Sequence, residues 1–215
     1  MVRAPLPLGP KLWRLCLGLL LIALSLPACA QDQDAPSQDE YRIYEAVFGL
    51  MNRIPKEDPY VGIFSLTLNT KCGSEAGPVP LLNGCSFFWQ KPDTADSVKA
   101  KLRGSNLNVS DSTWSDFEAK NAESASLREP ISTPWRHKLI PANGPAKDTY
   151  PIDLGVFISR VGFNENKSEA ILYVLTTSYI RKVPTTGDYF LFRVDKNGHW
   201  QGTNRLTYIT LGQDQ

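Results

Sequence analysis

After Pro151 the chain reads almost entirely as strand. Four β-rich runs, 152–163, 170–180, 188–194 and 199–211, follow one another with only the turn signals NENKS, PTTG and DKNG between them. The first two runs carry apolar side chains on both parities, with Leu154, Val156 and Ile158 against Phe157, Val161 and Phe163. A strand that is apolar on both sides has to be covered on both faces, so these two runs are expected at the centre of a sheet. In the third run Phe190, Phe192 and Val194 share one parity, with Arg193 and Asp195 on the other. Asp195-Lys196-Asn197-Gly198 reads as a hairpin, with Gly198 placed for a positive φ.

Cover has to come from upstream, where helical spacing dominates. Ser37-x-x-Glu40 has capping-box spacing, and Tyr41, Tyr44, Val47, Phe48, Met51 and Ile54 form one stripe ahead of Pro55. That pattern predicts a helix ending at Ile54, because the residue before a proline leaves the helical region. Residues 61–68 alternate, with Phe64, Leu66 and Leu68 on one face, and predict a strand. A short helix is expected over 94–103 with Val98 and Leu102 inward. A second follows, capped by Ser110 or Ser112 and built on Trp114 and Phe117. Five prolines in 128–151 mark a connector with one brief strand around 138–140. The expected class is α+β: amino-terminal helices packed on a mainly antiparallel sheet that ends in a four-strand meander, as one domain over 41–212.

The first thirty residues belong to a different kind of segment. Arg3, Lys11 and Arg14 precede the apolar run LCLGLLLIALSL, and no acidic residue occurs before Asp32. That run has 12 residues, against the about 20 that a spanning helix needs, so a cleaved export signal is expected. Leu26-Pro27-Ala28-Cys29 resembles a bacterial lipobox, with Pro27 where a small or β-branched residue is usual. On that reading 1–28 is removed, Cys29 is lipidated, and 29–40 is a polar tether to the membrane. A lipidated Cys of that type carries more than one acyl chain, enough for stable anchoring. Alternatively Ala28-Cys29-Ala30 directs ordinary secretion, with 1–30 removed.

Composition then has to be counted without the leader. The 23 Lys+Arg lose three and the 22 Asp+Glu lose none, so the mature chain is mildly acidic, with a net charge of −2. No polybasic patch stands out, which excludes an electrostatic nucleic-acid binder. Of the four cysteines, Cys16 leaves with the leader and Cys29 is the anchor or is lost. Cys72 and Cys85 remain, and an even pair in an exported chain reads as one disulfide. It would close the loop GSEAGPVPLLNG and remove about 3 kcal/mol of unfolded-state entropy. A metal or redox site at this pair has little behind it, since there is no C-x-x-C and only His137 and His199 could serve as imidazole ligands.

The strings Ser159-Arg160-Val161-Gly162-Phe163-Asn164, Ala170-Ile171-Leu172-Tyr173-Val174, Gly187-Asp188-Tyr189-Phe190-Leu191 and Asn197-Gly198-His199-Trp200 carry a resemblance. With the helix Asp116 to Asn121 and the opening Tyr41-x-x-Tyr44, they resemble a family of uncharacterised exported bacterial proteins over most of 41–210. The resemblance implies an exported α+β protein and brings no activity and no catalytic residues. The 72–85 loop departs from it. The order of elements and the NGHW hairpin also suggest a looser analogy to cystatin-like or NTF2-like folds, which by itself licenses no function.

Chemistry leaves few marks. There is no G-x-S-x-G, H-E-x-x-H, Walker loop or G-x-G-x-x-G. His137 lies in the proline-rich connector and His199 at a hairpin end, so both read as surface or packing residues. Two glycosylation sequons, at Asn108 and Asn166, matter only in a eukaryotic secretory pathway. No catalytic residue, metal site or cofactor is therefore expected. Arg160, on an expected central strand, is the candidate ligand-binding residue: an anion-binding arginine between helix and sheet. The plainer reading pairs it with an upstream acid such as Glu118. The expected function is a non-enzymatic, extracytoplasmic envelope protein. It would be held to the membrane by its lipid or free in the periplasm, and would bind an unknown protein or small molecule. The alternative is a secreted enzyme with a helix–sheet cleft site involving Arg160.

Overall fold

The computed structural model describes residues 35–51, 60–68, 95–105, 107–128, 130–141, 152–178 and 185–211. They all fall in one compact unit. Cys29, Cys72 and Cys85, and with them the leader, lipidation and disulfide expectations, lie outside the described residues.

Three helices and seven strands are described: α1 Gln38–Leu50, β1 Val61–Phe64, α2 Ala95–Gly104, α3 Asp111–Lys120, β2 His137–Ile140, β3 Leu154–Ile158, β4 Gly162–Phe163, β5 Glu169–Ser178, β6 Thr185–Val194 and β7 Trp200–Leu211. The strands form one mixed sheet in the order β2-β1-β3-β5-β6-β7, with β4 also paired to β5. β1 runs parallel to both β2 and β3, whereas β3, β5, β6 and β7 are successively antiparallel. The chain is thus α+β, and its sheet is mixed because the early strand inserts between β2 and β3.

Side-chain parity divides the core into two layers. Ile63, Val156, Leu172, Val174, Phe190 and Phe192 face one side, where Ile43, Tyr44, Val47 and Phe48 of α1 cover them. Phe64, Phe157, Ile171, Tyr173, Tyr189 and Leu191 face the other, against Leu102 of α2 and Trp114 and Phe117 of α3. The double-parity pattern expected of β3 and β5 therefore extends to β6, where Tyr189 and Leu191 are as buried as Phe192. Each fully buried large side chain contributes about 1.5–3 kcal/mol, so both layers are needed to hold the sheet.

Four boundaries differ from the sequence reading. α1 starts at Gln38, as the capping box at Ser37 predicts, so residues 38–40 are its first turn rather than the end of the 29–40 tether, and Glu40 is fully buried. The capping box explains the start: Ser37 Oγ accepts from Glu40 N–H, and the Glu40 carboxylate accepts from Ser37 N–H at 2.8 Å. The helix stops earlier than Ile54, because Met51 leaves helical geometry and its N–H donates to the Phe48 carbonyl. The expected strand over 61–68 is regular only to Phe64. Beyond it Leu66 and Leu68 make isolated bridges to Ser126 and Ser159. The run 152–163 is broken into β3 and β4 at Ser159-Arg160-Val161. The β6–β7 hairpin forms at DKNG as expected, with Gly198 at φ 83° and Asp195 Oδ1 accepting from Asn197 and His199 N–H.

Candidate functional site

The break between β3 and β4 is where the helices of both layers meet the sheet. A strand that stops pairing leaves backbone groups to be satisfied, and here side chains take them over. Ser159 keeps its N–H on the Tyr173 carbonyl, while its Oγ accepts from Tyr173 N–H and donates to the Arg160 carbonyl. Asn121, at the end of α3, then acts like a neighbouring strand. Its Oδ1 accepts from Arg160 N–H at 2.7 Å, and its Nδ2 donates to the Arg160 carbonyl at 3.1 Å. On the other layer, the Tyr44 hydroxyl of α1 donates to the Ser159 carbonyl.

This backbone geometry sends the Arg160 side chain to α1. Its Nε donates to Glu40 Oε1 at 2.7 Å and its Nη2 to Oε2 at 3.0 Å, a bidentate pair with a fully buried carboxylate. Val161 N–H adds a third donor from the joint. Burial pushes the Glu40 carboxyl up. The hydrogen bonds from Arg160 and Ser37, with the charges of Arg160 and Lys120, outweigh it and hold the group below the ordinary glutamate range. The Tyr44 hydroxyl moves the opposite way, raised well above the usual phenol value by burial and by the Glu40 charge. Arg160 is therefore paired with Glu40, not with Glu118, and its fork is turned inward to the helix.

A second buried carboxylate anchors α3. Glu169 Oε1 accepts from Ser110 N–H, at the N-cap of α3, and from the Thr113 hydroxyl, while Oε2 accepts from Nε and Nη2 of Arg193. Burial raises this carboxyl too, and those donors more than offset it, so it also titrates low. On β6, Asp188 accepts from Arg205 Nη2 at 2.7 Å and from the Thr207 hydroxyl. Each of the three buried acids is occupied by a neighbouring arginine or hydroxyl.

Outside the seam lies an open cleft of about 480 Å³, lined by Ser112, Ser115, Asp116 and Lys120 of α3 and by Phe163, Asn164, Glu165 and Lys167. Trp114 and Phe117 turn the apolar face of α3 inward, which leaves the serines, Asp116 and Lys120 along its outer edge. Asp116 Oδ2 accepts from Phe163 N–H and from Lys120 Nζ, and Lys120 also donates to the Val161 carbonyl and lies over the Phe163 ring. At the turn, Asn164 Oδ1 accepts from Ser168 and Glu169 N–H, and Lys167 sits at φ 52° with its Nζ on Asp39 at 2.6 Å.

The two histidines take part in none of this. His137 Nδ1 lies 3.0 Å from the Thr133 hydroxyl, and His199 is exposed, 4.0 Å from Asp195. Among the described residues, no group of three His, Cys, Asp or Glu is placed to hold a metal ion. No helix among them is long and apolar enough to cross a membrane.

Glu40, Asn121, Glu169 and the cleft were not singled out as site residues by the sequence. Glu40 left one usable signal, since a capping-box glutamate points its carboxylate back at the helix start, where a cation can reach it. Comparison with protein-family models, with curated proteins and with solved structures finds no match.

Proposed function

We propose that the chain is an exported cell-envelope protein, anchored through a lipidated Cys29, whose α+β domain binds or interacts without catalysing a reaction. The export half of this reading is supported by the leader, with its basic start and short apolar run ahead of Ala28-Cys29-Ala30. Its kinship would be with the exported bacterial proteins that the 159–164 string resembles.

The binding half rests mainly on one observation, the bidentate Glu40–Arg160 pair. An enzyme built on Arg160 needs that guanidinium free to meet a substrate anion, and here two of its nitrogens are committed to a buried carboxylate. The histidines lie apart from the buried acids, and those acids already have donors. Among the described residues an open cleft of mixed polarity faces solvent and can receive a ligand.

Mass spectrometry of the mature chain, expressed with its own leader in a bacterium, tests the anchor. An acylated Cys29 start is expected; a free Gln31 start overturns anchoring, and an intact Met1 start overturns cleavage of the leader at either site. A hydrolase substrate panel run on the folded parent protein tests the domain reading: no turnover is expected, and turnover would establish the enzyme instead.

A further inference from the structure

The cleft between α3 and the β4–β5 turn has a chemistry that selects among ligand classes. Its lysines are already engaged, Lys120 by Asp116 and the Val161 carbonyl, and Lys167 by Asp39. Three donor positions are left, one on Lys120 and two on Lys167, since an ammonium carries three. On the acceptor side, the Glu165 carboxylate, Asp116 Oδ1 and the Ser115 hydroxyl have no hydrogen-bond partner among the described residues, and Ser112 can supply a further hydroxyl. Donors and acceptors are thus both present in one lining.

That mixture excludes more than it admits. Phe163 is the aromatic residue of the lining, and its ring is already faced by Lys120, so flat stacking on it is blocked while the remaining carbon surface of the wall can meet the C–H faces of a polar ligand. A strong anion meets Asp116 and Glu165 against two lysines that are each already paired, Lys120 with Asp116 and Lys167 with Asp39. A ligand whose groups each donate and accept, without net charge, fits the wall from either direction. Vicinal hydroxyls do this. We propose that the cleft binds a neutral saccharide, with Ser115, Asp116, Glu165 and Lys167 as its hydrogen-bonding contacts.

The turn geometry supports a built wall. Lys167 occupies the left-handed region, uncommon for a side chain of its size, and is held there by the Asn164 and Asn166 bonds to Ser168. That conformation puts its ammonium beside Asp39 at the cleft rim. The left-handed residue closes the tight turn between β4 and β5, where Lys167 N–H donates to the Asn164 carbonyl and Asn164 N–H to that of Glu169, so the wall on this side is fixed by the hairpin.

The proposal deepens the binding-domain reading and rests on it. Its test is amide chemical-shift titration of the folded mature domain with maltotriose and chitotriose as neutral probes and trigalacturonate as an anionic one. Shifts confined to 112–120 and 163–168 are expected with at least one neutral trisaccharide at tens of millimolar. They should be lost in a Ser115→Ala/Glu165→Gln variant whose remaining spectrum is unchanged. No shift with either neutral probe, shifts with the acidic probe alone, or shifts scattered away from the cleft would each overturn it. Those outcomes leave the anchor and turnover experiments unaffected, so the two readings fail separately.

Discussion

Glu40 accepts four hydrogen bonds while wholly buried: from Ser37 N–H, two from Arg160, and from Val161 N–H. Burying a carboxylate is costly, and it becomes tolerable only with this degree of pairing. Folding holds Glu40 and Glu169 below the ordinary glutamate value, so the contribution of each is present above about pH 4.3 and lost as pH falls through the depressed value. Denaturant midpoints followed from neutral pH downward should be level at first and then fall in acid. A Glu169→Gln variant should start lower and fall less steeply; a midpoint that rises on acidification would contradict the assignment. Arg160→Lys keeps the charge and loses the fork, and should cost about 1.5–3 kcal/mol in denaturant unfolding. The sequence made Arg160 legible as an inward-facing cation, but not its partner. Nothing local links residues 120 positions apart, and Glu118 was simply the nearer acid on a neighbouring helix.

Elements are placed as much by what is missing as by what packs. A Cβ added at Gly162 would stand 2.6 Å from the backbone N and Cα of Phe117, so only glycine lets α3 lie so close to β4. Gly162→Ala should therefore cost about 1–3 kcal/mol in thermal or denaturant unfolding, because backbone has to move. Gly49, near the end of α1, faces open space, and Gly49→Ala should stabilise by about 0.5–1 kcal/mol. A loss at Gly49 or neutrality at Gly162 would mean that the helix packing is not as described. Ser110→Ala removes the α3 N-cap and should cost about 1 kcal/mol. Helix starts were readable because capping is local chemistry. The end of α1 was not, because Met51 leaves the helix before Pro55 can act on it.

Across the whole molecule, apolar residues on both parities of 152–175 already called for cover on two sides, and α1 and α3 supply it on opposite faces. The order of strands was out of reach: β1 sits between β2 and β3 because of parallel pairings that close only after long intervening segments. Joining the layers falls to the joint at 159–161, where Asn121 takes the backbone of Arg160 and Glu40 takes its side chain. On this account Arg160 serves the fold, and any ligand is met elsewhere. A double-mutant cycle at Glu40 and Arg160, read by equilibrium denaturation, tests that most directly. Each alanine alone should cost about 3–5 kcal/mol by stranding a buried charge. The double variant should cost clearly less than the two together, with a coupling of about 2–3 kcal/mol. Should the alanines fail to fold, Glu40→Gln with Arg160→Lys gives the same cycle with smaller terms. Single costs near zero that simply add would contradict the account and return Arg160 to the ligand-binding candidates.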